Sequence, residues 1–260
     1  MKYRYEDLAK MIDHALLHPT LTDAQLEAGC QTAIQYQVAS VCVKPYHVSR
    51  AAKLLAGSDV AVGTVIGFPH GGNRTEVKRL ETELACRDGA VEIDMVLNIG
   101  KAISGDWDYV FQDIQAVSQE THQHGGKLKV ILETDYLTGG GGGLDSDSLK
   151  TKLCQICEAA EADWVKTSTG FGFVKQAEGG YNYQGATEHD LKLMRTACSA
   201  KVQVKASGGV RDLAGLIRVR ELGASRCGTS ATEAILDAYH THANGETASA
   251  PDSQLGQGGY

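Results

Sequence analysis

Residues 162–172 read ADWVKTSTGFG. The short apolar run at Trp164 and Val165 reads as a strand, and it passes through Lys166 into a loop of small, hydrogen-bonding residues. Lysine is poor strand filler and is seldom fully buried. Its place between Val165 and a hydroxyl-rich turn asks for a reason. A second stretch, VQVKASGG at residues 202–209, repeats the arrangement with Lys205.

Working outward, eight apolar runs read as strands: Met11–Leu17, Val38–Lys44, Val60–Phe68, Ala90–Asn98, Leu128–Thr134, Trp164–Ser168, Val202–Ser207 and Ser225–Thr229. Several are apolar nearly throughout, as strands buried on both faces should be. Helical spacings lie between them: Leu26, Cys30, Ala33 and Ile34; Val77, Leu80 and Leu84; Leu149, Leu153, Ile156 and Ala160; Leu213, Leu216 and Ile217. Thr22 with Gln25 has the form of a capping box, and Thr187 opens another helix. Eight strands alternating with helices are what a (β/α)8 TIM barrel requires. A doubly wound open sheet is the competitor, but the glycine fingerprint it usually carries after its first strand is absent. The expectation is one α/β barrel domain over residues 1–242 and a flexible, glycine-rich tail over 243–260. Glycines 139–143 read as a flexible loop, and residues 176–185 as a longer loop after the sixth strand.

Composition sets limits. The chain has 260 residues, 42% of them hydrophobic and 22% charged, which is ordinary for a globular protein. A formal net charge of −7 gives no bulk attraction to nucleic acid or to an anionic membrane. The first ten residues, MKYRYEDLAK, carry no apolar signal-peptide core, and no run approaches the roughly 18 apolar residues of a membrane span. Seven scattered cysteines point to reduced thiols and a cytoplasmic protein.

In a barrel of this kind the C-terminal ends of the strands build the site. Lys166, Lys205 and Asp94 (in VEIDMVLN, with Asn98 after it) interrupt the late parts of their strands. Asp13 sits in MIDHALL, and Glu133 and Thr134 close the fifth strand. Lysines on adjacent strands stand about 5 Å apart at the backbone. Two ammonium groups so placed, and poorly hydrated, repel, and the relief is for one to lose its proton. A neutral lysine attacks carbonyls to form a Schiff base. Lowering a lysine pKa to about 7 means about 4–5 kcal/mol of ammonium destabilisation, within reach of burial plus one close cation. Asp94 could move protons or hold the charge of Lys205 in place. Asp13 is equally suited to orienting a partner and to structure. A lone barrel lysine is more often an ion-pair partner, so the pair carries the reading.

The glycines give a second signal. Ser207-Gly208-Gly209-Val210-Arg211 follows the seventh strand, and Gly228-Thr229-Ser230 follows the eighth. Backbone N–H groups of such loops hold phosphate in barrels, with Ser230 and Arg211 as additional donors. Ser168, Thr169 and Gly170 come from the neighbouring loop.

The strings IDHALLHPTLT, VASVCVKPYHV, VIGFPHG, EIDMVLNIG, LKVILET, VKTSTGF, VKASGGVRDL and GTSATEAIL occur in order between residue 12 and about residue 236. Together they resemble the deoxyribose-phosphate aldolase family. The resemblance implies a class I aldolase that reversibly cleaves 2-deoxy-D-ribose 5-phosphate into acetaldehyde and D-glyceraldehyde 3-phosphate, in deoxyribose phosphate catabolism. It implies Lys166 as the Schiff-base lysine, Lys205 as the lysine that tunes it, and Asp94 as the proton-transfer aspartate. Gly208, Gly209, Gly228 and Ser230 match phosphate positions. No metal and no organic cofactor is implied. The partners are a phosphorylated sugar and aldehydes, and a homodimer is left open. Some family members end in a tyrosine that reaches the site, and this chain ends in Tyr260. It departs from compact members at Gly139–Gly143 and at Phe171, where some members place a lysine near the phosphate.

Other signals carry less. Cys154-x-x-Cys157 lies in a helical stripe without a second pair at zinc spacing. His14 and His18 fall on a strand and a proline break, and His122, His124, His240 and His242 read as solvated surface. Cys42 reads as a buried small hydrophobe that could meet electrophiles if it lines the pocket. Two other functions stay open at this stage: a different phosphate-sugar barrel enzyme, either an aldolase with another donor or an isomerase with Asp94 as base, and a sugar-phosphate binding protein without turnover.

Overall fold

The computed structural model describes residues 2–176, 179–243 and Leu255. Eight parallel strands close into a barrel: β1 (Ile12–Leu16), β2 (Ser40–Val43), β3 (Ala61–Ile66), β4 (Glu92–Val96), β5 (Lys127–Ile131), β6 (Trp164–Lys166), β9 (Gln203–Ser207) and β10 (Arg226–Thr229). β6 pairs directly with β9, because β7 (Val174–Lys175) and β8 (Tyr181–Asn182) form a separate antiparallel hairpin. Seven of the eight barrel strands lie inside the runs read from the sequence; β5 starts one residue earlier. Helices follow the strands and cover the barrel, with the apolar core between the two layers. The expected caps are present. Gln25 N–H donates to the Thr22 hydroxyl while Thr22 N–H donates to Gln25, and Asp190 N–H donates to Thr187.

One helical stripe lies on the outer side of its helix. On the helix Thr75–Arg87 the buried residues are Lys78, Thr82 and Ala85, and Val77, Leu80 and Leu84 face outward. A polar bond fixes this orientation: the fully buried Lys78 donates to Asp113 at 2.5 Å and to the Val96 carbonyl at 3.0 Å. An unpaired buried ammonium would cost several kcal/mol, more than three exposed aliphatic side chains do.

The glycine run 139–143 is also not a loose loop. Gly141 pairs with Leu144, Gly142 N–H donates to the Ile103 carbonyl at 2.7 Å, and a Cβ at Gly142 would lie 2.5 Å from the Trp107 ring. The glycines allow that close approach. Residues 176–185 hold the second strand of the hairpin, where Tyr181 stacks on Phe173 with ring centres 4.0 Å apart. Among the described residues no helix is long and apolar enough to cross a membrane. Tyr260 and most of the expected 243–260 tail lie outside the described residues.

Candidate active site

Alternate residues of each strand point into the barrel, and here that interior is charged. Lys166 and Lys205 are register partners on β6 and β9. Lys166 donates to Asp94 Oδ2 at 2.7 Å, and Lys205 donates to the same oxygen at 2.7 Å. Lys205 also donates to Asp13 Oδ2 at 2.5 Å. All four side chains are essentially removed from solvent. The sequence expectation of two crowded lysines is met, with a carboxylate between them.

Beneath them lies a layer that the strand-end reading missed. Lys129 donates to Glu92 at 2.6 Å and to Asp94 Oδ1 at 3.1 Å, and stands 3.3 Å from Asp13 Oδ2. Arg226 bonds Asp13, and bonds Glu92 Oε1 at 2.7 Å. Ser40 donates to Asp13 at 2.8 Å. The network therefore sets four basic side chains, Lys129, Lys166, Lys205 and Arg226, against three carboxylates, Asp13, Glu92 and Asp94. One cation is in excess, and among the described residues Lys166 shares its only bonded carboxylate with two other lysines.

The electrostatics follow from that count. Burial pushes the Lys166 ammonium below its ordinary range; Asp94 acts in the other direction and Lys205 adds to the lowering. Burial works against Lys205 as well, but Asp13 and Asp94 outweigh it and hold Lys205 well above the usual range. Burial would neutralise Asp94, but Lys129, Lys166 and Lys205 overcome it and keep the acid well below the usual carboxylate range. The result is one lysine whose ammonium is destabilised beside a lysine and a carboxylate whose charged forms are favoured. Such a site can attack a carbonyl and move protons without a large rearrangement.

Above the lysines, Glu133 closes β5 in a left-handed conformation (φ 55°). Its carboxylate accepts from Thr169 N–H at 3.2 Å and from the Thr169 hydroxyl at 2.5 Å. Burial pushes Glu133 up to about 7. Ser168 donates to Asp135 at 3.4 Å, and Asp135 accepts from Gln184 and Gly185 N–H. Ser168 and Thr169 are thus buried and tied to carboxylates. Gly170 takes the positive φ of 83° that lets the chain turn away after them.

The remaining anion-loop residues meet elsewhere. Gly208, Gly209, Val210 and Arg211 line one small pocket with Gly228, Thr229 and Ser230. Gly208 and Gly209 both have positive φ, and a Cβ on Gly185 would come within 2.7 Å of the Gly208 carbonyl oxygen. A Cβ on Gly228 would lie 3.0 Å from Ser207 Oγ and 3.3 Å from Lys205 Cε. This pocket therefore adjoins the stem of Lys205. A second cleft of about 300 Å³, lined by residues including Leu17, Val65, Phe68 and Phe171, opens at the mouth. Phe171 packs edge-on against Phe68 there. Cys42 is buried with Leu17 and Val65, and burial and the Asp94 charge push its thiol up to about 11. It stays protonated near neutral pH. His122, expected on the solvated surface, is partly exposed and bonds Asp163 at 2.8 Å.

Comparisons with known proteins agree with this geometry. A deoxyribose-phosphate aldolase of Rhodopirellula baltica is 51% identical over 90% of this chain and 90% of its own length. One from Clostridium perfringens strain 13 is 45% identical over 89% and 95%. The deoxyribose phosphate aldolase of Aeropyrum pernix, described as a tetramer, superposes with a TM-score of 0.79 at 27% identity, covering 92% of this chain and 93% of that one. The family model for DeoC/LacD family aldolases matches residues 8–234, and the chain belongs to that family of aldolases.

Proposed function

We propose that the protein is a deoxyribose-phosphate aldolase that cleaves 2-deoxy-D-ribose 5-phosphate through an imine on Lys166. The observation that carries the reading is the shared Asp94 oxygen: two lysines donate to it, and their ammonium groups are driven in opposite directions. The neutral Lys166 amine attacks C1 of the open-chain sugar, and loss of water leaves a protonated imine. Removal of the C3 hydroxyl proton lets the C2–C3 bond break, with its electron pair flowing into the iminium. Glyceraldehyde 3-phosphate departs, and protonation of the enamine at C2 followed by hydrolysis gives acetaldehyde and the free lysine. Asp94 and Lys205 are placed to take and return these protons, with water as carrier. The loops at Gly208–Arg211 and Gly228–Ser230 supply backbone N–H groups and a hydroxyl for the phosphate. The names of the relatives support the same substrate. The reaction belongs to deoxyribose phosphate breakdown.

Trapping tests the reading. Protein incubated with acetaldehyde and reduced with borohydride should carry an N-ethyl group on Lys166, mapped by mass spectrometry, and Lys166→Arg should carry none there. Turnover of deoxyribose 5-phosphate without a reducible adduct on Lys166 would overturn it.

A further inference from the structure

The turn Thr134–Leu137 after β5 carries two neighbouring residues that grip the β7–β8 hairpin, one on each leg. The Tyr136 hydroxyl accepts from Phe173 N–H at 2.7 Å, where the chain enters β7. Asp135 takes the returning leg: Gln184 N–H donates to its Oδ1 at 2.6 Å and Gly185 N–H to its Oδ2 at 3.1 Å. Asp135 is buried. Burial raises its pKa, and the bonds from Gln184 and Gly185 oppose the rise. A carboxylate is costly to bury, but N–H bonds to the charged form are about twice as strong as neutral ones. Asp135 is therefore a stiff clamp on residues 184 and 185.

The clamped segment leads to one side of the site. Ala186 N–H donates to the Gly208 carbonyl at 3.1 Å, and Gly185 packs directly on the same carbonyl. The Tyr183 ring adjoins Gly208 as well: a Cβ there would lie 3.6 Å from Tyr183 Cε2. Gly208 in turn lines the pocket that Gly228 and Ser230 complete. Asp135 also accepts from Ser168, two residues after Lys166, but at 3.4 Å, and Thr134 Oγ1 stands 3.5 Å from that same hydroxyl. Lys166 itself is fixed by its register with β5 and β9. The shorter bonds of Asp135 thus run toward the glycine loop, and the longest runs toward the lysine.

We propose that Asp135 is a positioning residue for the sugar phosphate. It holds residues 184–186 against Gly208 and so sets the loop whose N–H groups receive the anion. This rests on the aldolase reading given above. A binding group must be held within about 0.5 Å of its productive place, so loosening the clamp should weaken phosphate recognition more than the chemistry at Lys166.

Steady-state kinetics of the full chain on deoxyribose 5-phosphate and on unphosphorylated deoxyribose test this. Asp135→Ala should raise the KM for the phosphorylated sugar about tenfold and change kcat less than about threefold. The ratio of kcat/KM between the two sugars should fall about tenfold with it. Asp135→Asn keeps the side-chain shape and one acceptor oxygen, so it should show the same pattern at smaller size, and it decides the matter if Asp135→Ala fails to fold. Trapping of acetaldehyde on Lys166 involves no phosphate and should stay within about twofold of the parent's rate. Equal losses on the two sugars would reduce Asp135 to a structural role, and unchanged selectivity in the variants would mean that Gly208 is held without it. Either result overturns the proposal. Failure of the aldolase reading shows separately, as a parent protein that cleaves neither sugar and forms no adduct on Lys166, and the proposal then falls with it.

Discussion

Lys166 and Lys205 stand at the same register on neighbouring strands and donate to one oxygen of Asp94. The two are not equivalent. Lys205 also holds Asp13, whereas among the described residues Lys166 has no second carboxylate bonded to it. Removing Lys205 takes a cation from beside Lys166 and frees Asp94 to stabilise the Lys166 ammonium. Lys205→Met should therefore raise the Lys166 pKa. Since attack needs the neutral amine, the acid limb of kcat/KM should move to higher pH by about one unit or more, and trapping with acetaldehyde at pH 7 should slow about tenfold per unit. A limb at its original pH would show that Lys205 does not tune Lys166.

Much of this was legible in the sequence. The barrel followed from eight short apolar runs, and Lys166, Lys205 and Asp94 stood out because each interrupts a run late. Lys129, Glu92 and Arg226 were missed because attention to strand ends ignored inward positions earlier on the same strands. Period-two alternation carried the signal, since Glu92 precedes Asp94 and Arg226 precedes Gly228 on the same inward face. The spacing of Val77, Leu80 and Leu84 gave the helix Thr75–Arg87 but not the direction its stripe faces. Helical spacing shows that a face is apolar but not which side of the barrel wall it meets. The tie that decides it, Lys78 to Asp113, joins two helices 35 residues apart in the chain. The glycine run 139–143 has the composition of a flexible linker, and only contact with Ile103 and Trp107 makes it a packed turn.

Glu92 balances Lys129 and Arg226 at the floor of the site. Glu92→Gln keeps the shape and removes the charge, which leaves the buried Lys129 and the partly buried Arg226 short of a carboxylate. Loss of one partner from a buried ion network costs about 3–5 kcal/mol. Urea unfolding at pH 7 should show a drop of that order, and a midpoint equal to the parent's would contradict the charge balance described here.

Ser230 lies exposed at the edge of the pocket formed by the two glycine loops, just before the helix Thr232–Ala243. Ser230→Asp would set a carboxylate against an incoming phosphate. The KM for deoxyribose 5-phosphate should rise about tenfold or more, corresponding to about 1.4 kcal/mol. Cleavage of unphosphorylated deoxyribose should be nearly unchanged. Equal losses on both substrates would place the phosphate elsewhere.

Glu133 offers a pH test. Burial raises its pKa from 4.5 to about 7 in the folded protein, with Asp135 adding to the rise and the Thr169 bonds and Lys166 opposing it. The folded state therefore binds this proton more tightly than the unfolded chain does. The linked stability is fully present below pH 4.5 and is lost as pH rises through 7. Between pH 5 and pH 8 the parent should lose about 2–3 kcal/mol through this group. Glu133→Gln does not titrate and retains an oxygen that can accept from Thr169, so its stability should fall less over the same interval. Asp135 remains in both proteins, so the comparison isolates Glu133. Urea unfolding of both at pH 5 and pH 8 measures the difference, and parallel pH dependences would mean that Glu133 is ionised throughout.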